Sequence, residues 1–105
     1  MSKTAVVIPA YNEALAIARV IAEIPRSSVQ EIIVVDNAST DGTGEVATAR
    51  GAKVVYEPEP GYGAACLRGI ATAKELGADL IVFMDGDYSD YGEEIPRLIA
   101  PILRN

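Results

Sequence analysis

Short runs of apolar residues alternate along the chain with longer segments whose apolar positions recur at helical spacing. Segments rich in branched apolar residues, over residues 4–8, 31–35, 53–56 and 80–84, are each the length of a strand. Runs of this length without polar alternation are typical of strands covered on both faces of a sheet. The pattern therefore predicts four strands.

The segments between these runs predict helices. Residues 13–24 carry an apolar stripe, with Asn12 as a plausible N-cap and Pro25 ending the helix. Further helices are predicted over residues 43–50, 63–76 and 93–103, although Pro96 and Pro101 interrupt the last one. Strands that alternate with helical crossovers imply an α/β fold, a Rossmann-like parallel sheet with helices on both faces.

Polar residues cluster directly after three of the four predicted strands. They occupy residues 9–13, 36–43 and 85–87. Singly, Asn12 and Ser39 could be helix caps, and Asp41 with Gly42 could form a turn. Because the carboxyl ends of parallel strands meet at one edge of the sheet, the three clusters together favour a shared site.

The third cluster contains two aspartates separated by one residue, Asp85 and Asp87. Side chains two positions apart in an extended chain point the same way, so the two carboxylates are expected to project together. Oxygen ligands of this kind suit Mg2+ or Mn2+, often shared with substrate phosphates. The alternative is that both aspartates only cap a turn before the next helix.

Composition narrows the range of functions. The 105 residues carry a net charge of −6, so we expect no nucleic-acid partner. The sequence has no histidine, which excludes histidine acid–base catalysis and histidine-ligated zinc, and its single cysteine, Cys66, reads as a packed core thiol. Apolar runs are only strand length, so we expect a soluble, cytoplasmic domain.

Four motifs in order resemble one family. They are VIPAYNE at residues 7–13, VDNASTDGT at 35–43, GYGAA at 61–65 and DGD at 85–87. The chain resembles the N-terminal, nucleotide-sugar-binding half of an inverting family 2 glycosyltransferase with the GT-A fold. Its motifs are most similar in style to those of the dolichol- and polyprenyl-phosphate mannose synthases. The resemblance implies the strand order 3-2-1-4, truncated after the DxD strand.

The resemblance also implies roles for individual residues. Pro9, Ala10, Tyr11 and Glu13 would line the base and ribose pocket, and Asp36 would bind the base. The remaining implied donor-site residues are Gly63, Arg68, Asp85 and Gly86, and the implied metal ligands are Asp87 and Asp85. Asn37 departs from the pattern, because the family often has a second aspartate there.

The expected reaction is metal-dependent transfer of a sugar, with inversion, from a UDP- or GDP-linked donor to an acceptor such as a polyprenyl phosphate. Members of the family continue past the DxD strand to the catalytic base. We therefore cannot assign a catalytic residue, and we expect the isolated chain to be inactive. A longer parent protein could associate with a membrane surface.

Three alternatives remain on the residues alone. The chain could be a non-catalytic nucleotide-binding or oligomerisation module. A haloacid-dehalogenase-type phosphatase also places two aspartates after an apolar strand, but normally after the first one. A sugar nucleotidyltransferase would need a glycine-rich, arginine-containing loop after the first strand.

The fourth strand also leads to a prediction about assembly. In the order 3-2-1-4 it lies at the edge of the sheet, and residues 80–84 contain neither proline nor charge. Unprotected apolar edges invite pairing with another chain. We therefore expect a homo-oligomer, most simply a two-fold dimer with fourth strands antiparallel. The alternative is a monomer whose edge is covered by the last helix.

Overall fold

The computed structural model describes residues 3–86 and the backbone of residues 98–101. Its elements, in chain order, are β1 (Thr4–Ala10), α1 (Ala14–Ala22), β2 (Glu31–Asp36), α2 (Thr43–Ala49), β3 (Lys53–Tyr56), α3 (Tyr62–Glu75), β4 (Leu80–Phe83) and β5 (Leu98–Pro101). All four predicted strands and the first three predicted helices are present, with ends shifted by one or two residues.

The strands form one sheet in the order β3-β2-β1-β4-β5. The first four are parallel, so the predicted order 3-2-1-4 is confirmed. β1 lies at the centre and is extended through Ala10, which pairs with Asp36. Proline is tolerated at position 9 because β4 pairs with β1 only as far as Val7, leaving a ladder on one side alone.

The prediction of a helix over residues 93–103 is wrong where the structure describes that segment. Residues 98–101 form β5, which pairs antiparallel with β4 from Leu80↔Pro101 to Phe83↔Leu98. Pro96 and Pro101 weaken a helix there, and pairing satisfies the backbone groups along β4. The rest of the predicted helix lies outside the described residues.

This strand also corrects the premise of the assembly prediction. β4 lies between β1 and β5, so it is an interior strand and its edge is not open to a second copy. The proposed dimer through antiparallel fourth strands therefore loses its physical basis. The more general expectation, that the protein forms a homo-oligomer, stays a prediction.

Alternating side chains build a core on each face of the sheet. On one face, Val6, Ile8 and Val34 pack with Ile17 and Ile21 of α1. On the other face, β-strand residues pack beneath α3, whose contacts are made by small side chains such as Ala65 and Ala73. Helices thus cover both faces, as predicted. Cys66 is partly buried against this second core.

The close fit of α3 depends on Gly69. A Cβ at this position would lie 2.3 Å from Cγ1 of Val7 and 3.3 Å from Cγ2 of Val35. The helix therefore rests directly on β1 and β2, which fixes where its first turn lies relative to the carboxyl edge of the sheet. In the part of the chain that the structure describes, no helix is long and apolar enough to cross a membrane.

Candidate functional site

A cavity of about 690 Å³ opens at the carboxyl edge of the sheet. It lies where the ends of β1, β2 and β4 meet the loop before α3, the position at which open α/β sheets bind ligands. Its lining residues are Pro9, Ala10, Tyr11, Glu13, Asn37, Ala38, Pro58, Pro60, Gly61, Tyr62, Ala65, Asp85 and Gly86. The three polar clusters of the sequence therefore do converge on one cavity.

Six of the predicted donor-site residues line this cavity. Four follow or end β1 (Pro9, Ala10, Tyr11 and Glu13), and two follow β4 (Asp85 and Gly86). Tyr11 is 59% exposed, as is suited to an aromatic side chain at the rim of a ligand cavity. The structure brings these residues together, and their individual roles stay predictions.

The turn after β4 approaches β1 closely because residue 86 is glycine. A Cβ on Gly86 would lie 3.2 Å from both the Ala10 Cβ and the Pro9 carbonyl oxygen. Those distances are shorter than ordinary van der Waals contact. Gly86 thus allows the backbone next to Asp85 to sit against the end of β1.

Asp36 lies outside the cavity. Its Oδ1 accepts a hydrogen bond from the Ser39 backbone N–H at 2.9 Å, and its side chain faces Gly44 at the start of α2. It lines a separate shallow cleft of about 500 Å³. Because successive side chains at a strand end point to opposite faces, the cavity receives Asn37 instead. Base binding by Asp36 is not supported by this placement.

Gly63 and Arg68 lie beside the cavity and do not line it. Gly63 is the second residue of α3, and a Cβ there would meet no atom of the described residues within 4 Å. The Nε of Arg68 donates to Oε1 of Glu57 at 3.0 Å. Arg68 therefore contacts a neighbouring carboxylate, and its predicted reach to the donor stays a prediction.

Asn37 is the lining residue whose importance the sequence did not reveal. Its Nδ2 donates to the carbonyl oxygens of Glu57 at 2.8 Å and Glu59 at 2.7 Å. Its Oδ1 accepts from the Gly61 N–H at 3.1 Å. The sequence signal that could have indicated this role was an asparagine directly after a predicted strand, together with the proline-rich loop at residues 57–61.

The loops after β1 and β2 are bonded to each other. The Asn12 N–H donates to Oγ of Ser39 at 2.9 Å, and the Thr40 N–H donates back to Oδ1 of Asn12 at 2.8 Å. The predicted capping of α1 by Asn12 is therefore wrong, since Glu13 is the N-cap. Asn12 has a φ of 53°, a left-handed conformation that asparagine tolerates.

A second pair of bonds strengthens this junction. Oγ1 of Thr43, which is fully buried, accepts from the Glu13 N–H at 2.9 Å and donates to Asp41. Asp41 also accepts from the Ala14 N–H at 3.1 Å. The Thr43 hydroxyl, together with backbone N–H groups of Ala14 and Thr43, lowers the pKa of Asp41.

The structure describes one of the two predicted metal ligands. Asp85 is exposed at the cavity, whereas Asp87 lies outside the described residues. Within residues 3–86, no three acidic, histidine or cysteine side chains group closely enough to hold a metal ion. A carboxylate at the cavity fits a hard divalent cation as one of several oxygen donors.

Residues 5–105 match a known family, described as Glycosyl transferase family 2. The chain belongs to that family. An uncharacterized glycosyltransferase of Mycobacterium tuberculosis is 39% identical over 97 residues, covering 92% of this chain and 42% of that protein. The undecaprenyl-phosphate mannosyltransferase of Micrococcus luteus is 36% identical over 106 residues, covering 91% and 42%. The chain thus spans about two fifths of the length of these glycosyltransferases.

A solved structure is similar in fold to this family 2 chain. Glucosyl-3-phosphoglycerate synthase from Mycobacterium tuberculosis, in complex with Mn2+, UDP and glucosyl-3-phosphoglycerate, superimposes with a TM-score of 0.73 at 37% identity. The match covers 82% of this chain and 34% of the synthase. The expected GT-A architecture is thereby confirmed.

Proposed function

We propose that this chain is the donor-binding part of a family 2 glycosyltransferase, which transfers a sugar from a nucleoside-diphosphate donor with inversion. The observation that supports the proposal most is the cavity itself. It joins the end of β1, Asn37 after β2 and the Asp85–Gly86 turn at one edge of the sheet. A synthase crystallised with UDP and Mn2+ is similar over 82% of this chain, which supports the proposal.

The cavity suggests how a donor would be arranged. Pro9, Ala10 and Tyr11 would face the base and ribose, and Asp85 would face the ribose and sugar. Tyr62, the first residue of α3, is 62% exposed and offers a second aromatic surface in the cavity lining. Such a mostly apolar cavity with few polar groups orients a ligand while limiting its contact with water.

We propose Mg2+ or Mn2+ as the cofactor, held by Asp87 and Asp85 together with diphosphate oxygens. When bound, the cation supplies positive charge opposite the departing diphosphate. Asp85 lies where the chain leaves β4 beside the cavity, which fits that donor set. The protein's own contribution is to hold the carboxylate in place, through the close packing of Gly86 on β1.

For the whole protein we propose a polyprenyl phosphate as acceptor, with the reaction at a membrane surface facing the cytoplasm. This rests on the 36% identity with the undecaprenyl-phosphate mannosyltransferase. The competing acceptor is a phosphoglycerate, as the name of glucosyl-3-phosphoglycerate synthase implies. Transfer assays on the whole protein with a polyprenyl phosphate and with a phosphoglycerate distinguish the two.

Calorimetry with UDP and GDP, each with and without Mn2+, tests donor binding. We expect one nucleotide to bind in the presence of Mn2+, and Asp87→Ala to remove the metal dependence. Glu75→Gln, an exposed acid at the far end of α3, is the matched control and should bind as wild type does. A wild-type chain that binds neither nucleotide contradicts the proposal. Metal-dependent binding retained by Asp87→Ala contradicts the metal assignment alone.

A further inference from the structure

One wall of the cavity is a proline-rich loop with few backbone donors of its own. Residues 57–61 read Glu-Pro-Glu-Pro-Gly and connect β3 to α3. Pro58, Pro60 and Gly61 line the cavity. The two prolines have no backbone N–H to donate, and residue 61 has a φ of 116°, which suits glycine. Side-chain hydrogen bonds therefore have a large part in fixing the shape of this wall.

Asn37 supplies three of the hydrogen bonds that hold the loop. Both hydrogens of its Nδ2 are used, one by the carbonyl of Glu57 and one by that of Glu59. Its Oδ1 accepts from Gly61, and its exposed fraction is 9%. These bonds fix which way the amide faces and join the start, middle and end of the loop to the end of β2.

Glu57 holds the loop from its outer side. Its Oε2 accepts from the Glu59 N–H at 2.9 Å, and its Oε1 accepts from Nε of Arg68 at 3.0 Å. Its own N–H donates to the carbonyl of Asp36 at 2.9 Å. Bonds from Glu59 and then Arg68 lower the pKa of the Glu57 carboxyl. The described cavity lining does not include Glu57, so this side chain acts on the wall from behind.

We propose that Asn37 and Glu57 are positioning residues that hold the 57–61 loop in its nucleotide-binding shape before the nucleotide arrives. The inference rests on the proposed function and adds two residues to it. A wall ordered in advance avoids the entropy cost of ordering it during binding, so loosening it weakens affinity. In this chain an aspartate at position 37 could not donate to the carbonyl oxygens of Glu57 and Glu59.

Two measurements on the whole 105-residue chain test the inference. Amide hydrogen exchange at Glu59 and Gly61 reports the order of the loop without nucleotide. Calorimetry with UDP and GDP in the presence of Mn2+ reports affinity. The variants are Asn37→Ala, Asn37→Asp, Glu57→Ala and Glu57→Gln. Gln30→Ala is the matched control, since Oε1 of Gln30 also accepts a backbone N–H, that of Thr4, away from the cavity.

We expect Asn37→Ala to lose protection at Gly61 and to bind nucleotide about tenfold more weakly, and Asn37→Asp, which loses the two donated bonds, to bind more weakly than wild type. Glu57→Ala should lose protection at Glu59 and also weaken binding. Glu57→Gln keeps an oxygen that accepts from Glu59, so it should recover most of the affinity. Gln30→Ala should bind as wild type does even if its melting temperature falls, which separates positioning from general stability.

Wild-type affinity in both Asn37 variants and in Glu57→Ala overturns the inference and leaves the proposed function intact. Weaker binding with unchanged exchange at Glu59 and Gly61 also overturns it, since the loop would then not be the cause. If the wild-type chain binds neither nucleotide, the proposed function fails and the positioning role fails with it.

Discussion

Replacing Gly69 with alanine should destabilise the fold, although alanine is the better helix former. The added Cβ would lie 2.3 Å from Cγ1 of Val7 and 3.4 Å from its Cβ. Val7 is fully buried in the central strand and is β-branched, so its side chain has little freedom to move away. Overpacking of this kind costs about 1–3 kcal/mol, and we place this contact at the upper end of that range because it is so short.

The opposing gain in helix propensity is about 1 kcal/mol, so the expected net loss in the free energy of unfolding is about 2 kcal/mol. Gly63→Ala is the matched control. It makes the same substitution in the same helix, where the Cβ would meet no atom of the described residues within 4 Å. There we expect a gain of up to about 1 kcal/mol, reduced because the residue lies in the first turn.

Urea denaturation followed by far-ultraviolet circular dichroism measures both changes. Opposite signs for the two variants support the close packing of α3 on β1. If Gly69→Ala is as stable as wild type or more stable, α3 does not lie at the distance described. Gly63→Ala also tests the predicted proximity of Gly63 to the nucleotide, because an added Cβ that contacts the nucleotide would weaken nucleotide binding.

Three further predictions concern the loops around the cavity. Thr43→Val should lower the free energy of unfolding by about 1–3 kcal/mol, since it removes a buried hydroxyl that bonds both the partly buried Glu13 N–H and Asp41, and Thr43→Ser should recover most of it in the same urea assay. Because the fold lowers the pKa of Asp41, the Asp41 carboxylate stabilises the fold above the pKa of the unfolded chain, and this stabilisation is lost as pH falls through the lower folded pKa. Thermal melts from neutral to acid pH should therefore show that Asp41→Asn is less stable than wild type near neutrality. The melting temperature of Asp41→Asn should also fall less steeply as the pH is lowered. Gly86→Ala should weaken nucleotide binding in calorimetry, because its Cβ would push the turn after β4 away from Pro9; unchanged affinity would contradict that contact.

The parts predicted correctly from sequence are those fixed by local chemistry. Branched apolar runs such as residues 32–35 fit a strand in a sheet covered on both faces. Polar residues after parallel strands necessarily meet at one edge, which identified most of the cavity. The role of Asp36 came from the family resemblance, which does not say which face of the strand end a side chain takes. Asp36 ends β2 and faces Gly44, while the next residue, Asn37, lines the cavity.

The remaining errors arise from tertiary contacts. β5 is stabilised by pairing with β4, and a pattern read along the chain does not contain that partner. Asn12 was interpreted as an N-cap because asparagine is one of the preferred residues at that position. In the fold its side chain instead accepts from Thr40, which lies on another loop. Similarly, the bonds from Asn37 to the loop join positions at least 20 residues apart.

The mutual bonding of the loops after β1 and β2 also bears on which parts of this domain can change in length. Surface loops usually accept insertions readily. Here Asn12 and Ser39 each bond to the other's loop, so an added residue in either one would break contacts in both. At the opposite edge of the sheet, residues 25–28 are exposed. Insertions, deletions and fused tags should therefore be tolerated between α1 and β2, while the two loops at the cavity keep a constant length.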